Sequence, residues 1–154
     1  MNPAPAGYHT LQPYLIVRDA SKAIDFYKEL FGATEITRMP YPGGIKLMHA
    51  EVRIGDSILM LSDEAPEWNV YSPIKYGGSS VSLMLYVSEV DATYAKALAS
   101  GCQTIFPPAD MFWGDRFCKF IDPFGHVWGV ATHVRDVSPE EMAAAAAAKA
   151  FPTP

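Results

Sequence analysis

The stretch LQPYLIVRDASKAIDFYKELFGA, residues 11–33, carries two periodicities in succession. Its first seven residues are rich in β-branched and aromatic side chains, as a short strand requires, and Arg18-Asp19 ends the run. After Asp19, the residues Ala23, Ile24, Tyr27, Leu30 and Phe31 recur at helical spacing, and Gly32 stands where a helix would stop. One face of that helix must be buried. Downstream, TEITRM, IKLMHAEVRIG and SILMLS read as three strands, separated by turn signals at Pro40 to Gly44 and at Gly55-Asp56. The first half of the chain therefore has the order β-α-β-β-β.

The second half repeats that order: SVSLMLYV at 80–87, a helix from about Asp91 to Ser100, Gly101, then QTIFPP, RFCKFID and HVWGVAT. A shift of 70 residues sets Asp19 on Glu89, Gly55 on Gly125 and the first strand on VSLMLYV. Few residues are identical, so the repeat is one of pattern. The expectation is one domain over residues 1–154, made of two modules at about 9–63 and 80–134. Residues 64–79, rich in Pro, Gly and Ser, join them as an ordered loop or a partly mobile lid. A helical tail is expected over 138–150, with Ser138 as cap, Pro139 in the first turn and Glu141 completing a capping box.

Composition narrows the function classes. The chain has 154 residues, 49% of them apolar and 19% charged, enough to build a substantial core. The net charge of -5 is spread without a basic run, which argues against nucleic acid or an anionic membrane and for a small-molecule partner. No apolar run approaches the ~20 residues a bilayer requires. The first ten residues lack a charged and an apolar targeting region, so a cytoplasmic location is expected. Cys102 and Cys118 read as buried thiols, and no Gly-rich phosphate loop, CxxC pair or Gly-x-Ser-x-Gly nucleophile is present.

Taken together, PYLIVRDASKAIDFYKELFGA, HAEVRIGDSILMLSDE and DMFWGDRFCKFIDPFGHVWGVATHVRDVSPEEM resemble the vicinal oxygen chelate superfamily, and within it the PhnB-like branch. That superfamily holds glyoxalases, extradiol dioxygenases and bleomycin and fosfomycin resistance proteins. The resemblance covers roughly residues 9–134 and implies an α+β fold. In it, two βαβββ modules form a cupped mixed sheet with helices outside and a ligand cavity inside, and many members are homodimers. In metal-dependent members a His on the first strand and a Glu on the last strand of each module bind the ion. The corresponding positions here are Gln12 and Leu59, then Ser82 and Gly129. These are poor donors for Zn, Ni or Fe, so no metal or other cofactor is expected unless the site has been displaced.

Two groups of residues could carry chemistry. His49, Glu51 and Arg53 alternate with the apolar Ala50, Val52 and Ile54, so they share one strand face as a base pair, as metal ligands or as a solvated edge. Trp113 could stack a planar ligand that Arg116 holds by a carboxylate or carbonyl, or else Phe112 and Trp113 fill the core and Asp115 pairs with Arg116 or caps the turn. Tyr14 and Met84 share the alternation of Gln12 and Ser82 and line the expected cavity. His126 and Trp128 read as turn and core residues; His133 reads as a surface histidine, or as a partner for His49 in a rebuilt metal site.

Two functional expectations follow. One is a metal-free protein binding an aromatic or hydrophobic metabolite or antibiotic among Gln12, Tyr14, Leu59, Ser82, Met84, Trp113, Arg116 and Gly129. The other is a lyase, isomerase or dioxygenase whose catalytic residues are His49 and Glu51, joined by His133 or Asp115. A third, a non-catalytic dimer that serves only as an interaction module, stays open.

Overall fold

The computed structural model describes residues 3–148. In chain order the elements are β1 (Tyr14–Val17), α1 (Ala20–Phe31), β2 (Thr34–Pro40), β3 (Leu47–Ile54) and β4 (Ser57–Asp63), then β5 (Ser82–Tyr86), α2 (Val90–Ala99), β6 (Gln103–Asp110), β7 (Asp115–Ile121), β8 (Val127–His133) and α3 (Pro139–Ala147). The fold is α+β, two βαβββ modules followed by a C-terminal helix. The described residues fall into two compact units, divided between Ser79 and Ser80.

In the first unit the sheet order is β1-β4-β3-β2, with β1 parallel to β4 and the remaining pairs antiparallel. Register puts Leu15, Val17, Ala50, Val52, Leu59 and Leu61 on one face, and all of them are buried. That face meets Ala23, Ile24 and Tyr27 of α1, each with no exposed surface. Each large apolar side chain so buried contributes roughly 1.5–3 kcal/mol. The helix is defined at both ends by local chemistry: the Asp19 carboxylate accepts from Lys22 N at 3.0 Å, and Gly32 takes the left-handed conformation (φ 67°) that closes the last turn. Asp63, at the end of β4, accepts from Ala20 N at 3.0 Å and ties the helix start to the sheet.

The second unit repeats the plan in the order β5-β8-β7-β6. Cys118, Phe120, Trp128 and Val130 are buried on the α2 side. Thr132 accepts from Val90 N at 2.9 Å, doing for α2 what Asp63 does for α1. Pro107 and Pro108 lie in β6, an edge strand whose pairing skips them, where a missing N–H breaks no ladder.

The first strand is shorter than its sequence pattern: Gln12 and Pro13 precede β1, although the Pro13 carbonyl still accepts from Met60 N at 3.0 Å. At the end of the first unit, residues 64–79 include two short 3₁₀ turns, Pro66–Trp68 and Pro73–Tyr76. Glu64 holds this segment by accepting from the Ser72 amide and hydroxyl, at 2.9 and 2.6 Å. Helix α3 has the expected capping box at Ser138 and Glu141 and buries no residue. Lys149 and Ala150 of the expected tail lie outside the described residues.

Candidate functional site

In each unit the sheet face opposite the helix carries the polar and aromatic side chains. On the first sheet, register aligns Tyr14 with Met60 and Met60 with Glu51, and His49 and Arg53 flank Glu51 along β3. Tyr14 is 46% exposed and Glu51 only 7%. The Glu51 carboxylate accepts from Tyr8 Oη at 2.5 Å and is 3.0 Å from His49 Nε2. His49 Nδ1 is 3.0 Å from the Tyr14 hydroxyl. Burial alone would raise the Glu51 pKa, but the hydrogen bonds from Tyr8 and His49 outweigh it and hold the carboxyl below its ordinary range. The same hydrogen bond to Glu51 raises the Tyr8 pKa.

On the second sheet the same face carries Ser82, Met84, Tyr86, Asp115, Phe117, Gly129 and His133. Asp115 is buried and gathers three donors: Trp113 Nε1 at 3.0 Å, Tyr86 Oη at 3.2 Å, and His133, whose Nδ1 lies at 2.8 Å. Asp115, and then Asp136 on the other ring nitrogen, raise the His133 pKa above the usual imidazole range. Around this carboxylate stands an aromatic array: the Trp113 and Phe106 rings each lie 6.2 Å from that of Phe117. Met84 and Tyr86 border it, 49% and 61% exposed.

The structure corrects three expectations. Leu59 is on the helix side, paired with Val52 and 4% exposed, so it cannot meet a ligand on the opposite face. Tyr14 pairs with Met60 as Met84 pairs with Gly129, so the counterpart of Gly129 is Met60. Gly55 and Gly125 align the two turns, yet Met60 stands one residue further from its turn glycine than Gly129 does, and a one-residue slip turns a strand residue to the other face. Gly129, in turn, does not leave open room: a Cβ there would meet Phe117 Cε2 at 2.9 Å and Met84 Sδ at 3.2 Å, so these side chains already fill the space. Arg116 is on the α2 side. Its guanidinium binds Asp91 through two bonds, at 2.5 and 2.7 Å, and Asp110 at 3.0 Å, which fastens α2 to the sheet rather than leaving a cation for a ligand.

A metal does not fit the family's positions as they stand here. They hold Gln12, whose amide donates to the His9 carbonyl at 3.2 Å, the thioether of Met60, the hydroxyl of Ser82 and the side-chain-less Gly129. None supplies an imidazole or carboxylate. Among the described residues no group of three or more His, Cys, Asp and Glu side chains is placed to hold an ion. His49 and His133 each have both ring nitrogens engaged within their own unit. The cysteines offer no nucleophile: burial pushes Cys102 up to about 12, with Asp122 adding to it, and Cys118 up to about 11. Trp128 is a core residue that donates to Asp122 at 2.9 Å, and the same carboxylate accepts from the Phe124 and His126 amides across the turn.

Sequence reasoning found His49, Glu51, Tyr14, Met84 and Trp113 on these faces and missed Tyr8, Met60, Phe106 and Phe117. The alternation of Asp115, Phe117 and Lys119 along β7 would have placed Phe117. Nothing in MNPAPAGYHT signals that Tyr8 returns to β3.

The architecture and these faces can be set beside known proteins. An uncharacterized protein of Mycobacterium bovis is 41% identical over 138 residues, covering 88% of this chain and 90% of that one. TnmS3, an antibiotic binding protein from Streptomyces, is 28% identical with a TM-score of 0.60, covering 84% of this chain and 99% of that one. The PhnB protein from Bacillus cereus, at 17% identity and a TM-score of 0.64 over 80% of this chain and 99% of that one, shares the fold. The family model described as Glyoxalase/Bleomycin resistance protein/Dioxygenase superfamily matches residues 8–130, spanning both modules, and the chain belongs to that superfamily.

Proposed function

We propose that the protein binds a planar aromatic small molecule without a metal, on the second sheet face formed by Met84, Tyr86, Trp113 and Phe117. The observation that carries this is the aromatic array ordered around the buried Asp115. The Tyr86 and Trp113 polar atoms are committed to that carboxylate, which fixes the rings and leaves their faces for stacking. Rings held in place before binding lose little freedom on contact, so more of the stacking energy appears as affinity. Likeness to an antibiotic binding protein and membership of a superfamily that includes bleomycin resistance proteins support the reading. The donor set at the family's metal positions supports a role for organic contacts there.

The test is calorimetric titration with a panel of polycyclic aromatic antibiotics. Saturable binding is expected, weakened about 3- to 10-fold by Trp113→Leu, the loss of one aromatic contact of about 0.5–1.5 kcal/mol. Tyr86→Phe keeps the ring and should bind far better than Tyr86→Ala. Binding that is indifferent to Trp113→Leu, Tyr86→Ala and Met84→Ala would overturn the assignment to this face.

A further inference from the structure

The first unit carries an arrangement that ligand stacking does not use. Glu51 accepts from Tyr8 on one oxygen and faces His49 Nε2 with the other. An ionised carboxylate has only lone pairs to offer, so Nε2 carries the ring proton, and in the neutral ring Nδ1 is a bare acceptor. The group against Nδ1 is the Tyr14 hydroxyl, at 3.0 Å. Hydroxyl, imidazole and buried carboxylate in that order form a unit in which the ring takes the hydroxyl proton as the oxygen attacks, and the carboxylate steadies the resulting imidazolium. Accessibility matches these roles. The carboxylate is buried, while the hydroxyl-bearing Tyr14 has nearly half its surface open to a substrate. Tyr8 fixes the carboxylate from behind, and Arg53, which makes no ion pair among the described residues, lies on the same face two residues beyond Glu51.

We propose that Tyr14 is the nucleophile of an acyl-transfer triad, Tyr14–His49–Glu51, that acts on activated carboxylic esters. Tyr14 Oη forms a bond to the ester carbonyl carbon, the carbonyl π pair moves onto oxygen, and the phenolic proton passes to His49 Nδ1. The intermediate then collapses; the bond to the leaving alcohol oxygen breaks and that oxygen takes the proton from Nδ1. The product is an acyl-tyrosine, itself an aryl ester. Water opens it with His49 as base, so that ester and water become acid and alcohol and Tyr14 is restored. His49 and Glu51 act here as base and positioning residue.

The probe is 4-nitrophenyl acetate, with release of 4-nitrophenol followed by absorbance and acetylation mapped by peptide mass spectrometry on the full chain. A burst of one equivalent with acetyl on Tyr14 is expected. Tyr14→Phe and His49→Gln should abolish the burst. Glu51→Gln, which keeps the shape but no longer demands a proton on Nε2, should slow it by at least about 10-fold. Tyr76→Phe, at a more exposed tyrosine, should leave it unchanged. Tyr14→Phe removes only the hydroxyl of a residue that is nearly half exposed, so it keeps the test valid should a His49 or Glu51 variant fold poorly. Acetylation spread over lysines, a rate indifferent to His49→Gln, or loss in His49→Gln with full activity in Tyr14→Phe would each overturn the proposal. The outcome is independent of the aromatic titration, which reads the second sheet.

Discussion

Gly114 links Trp113 to Asp115, and replacing it with alanine should damage the second sheet face more than any other single methyl addition. Its φ is +98°, a conformation that costs an L-residue about 1–3 kcal/mol. A Cβ there would also overlap the Arg135 carbonyl oxygen, with Val137 Cγ2 at 2.9 Å and the Arg135 carbonyl carbon at 3.2 Å. That backbone cannot step aside, because the amides of Val134 and Arg135 both donate to the Gly114 carbonyl, at 3.0 and 3.1 Å. Adding about 1–3 kcal/mol for the forced overlap gives a total of about 4 kcal/mol. For a chain of this length that lowers the midpoint of thermal unfolding by about 10–15 °C. Circular dichroism melting measures the shift. Gly129→Ala is the comparison, since its Cβ meets the movable ends of Phe117 and Met84 and should cost less. If Gly114→Ala melts within about 3 °C of the parent protein, the close approach of the 134–137 segment to this turn is wrong.

Other predictions concern charge and capping. The Glu51 carboxyl is held below its ordinary pKa, so its contribution is present above about pH 4.3 and is lost as pH falls through the folded value. Glu51→Gln should flatten that acid limb in denaturant titrations, and an unchanged limb would remove Glu51 as its cause. His133 has the opposite sign: its pKa is raised, so its contribution is full below about pH 6.5 and disappears as pH rises through the folded value. His133→Gln should abolish this alkaline loss, read as unfolding midpoints on either side of neutrality. Ser138→Ala removes the cap of α3, worth about 0.5–2 kcal/mol to a helix. Because α3 buries no residue, faster amide exchange should be confined to that helix, with the global unfolding midpoint unmoved.

Much of this molecule is local and could be read from the chain. Helix α1 follows from the spacing of Ala23, Ile24, Tyr27 and Leu30 and from its two caps, all set by residues a few positions apart. The α3 capping box follows from Ser138 and Glu141 in the same way. The shared face of His49, Glu51 and Arg53 follows from the twofold period of a strand. The site resisted wherever a contact joined distant strands. Tyr8 reaches Glu51 across 43 positions and Tyr14 reaches His49 across 35, and no pattern in either segment announces the other. The partners of Arg116 escape the sequence, which offers a ligand or Asp115, because Asp91 and Asp110 come from α2 and β6. Leu59 and Met60 show the reason most plainly. Alternation within β4 tells which residues share a face, while the hairpin loop and the ladder to β1 and β3 decide which face that is. The sequence determined the elements and their periods; strand register, a property of hydrogen bonds between distant segments, decided which side chains meet.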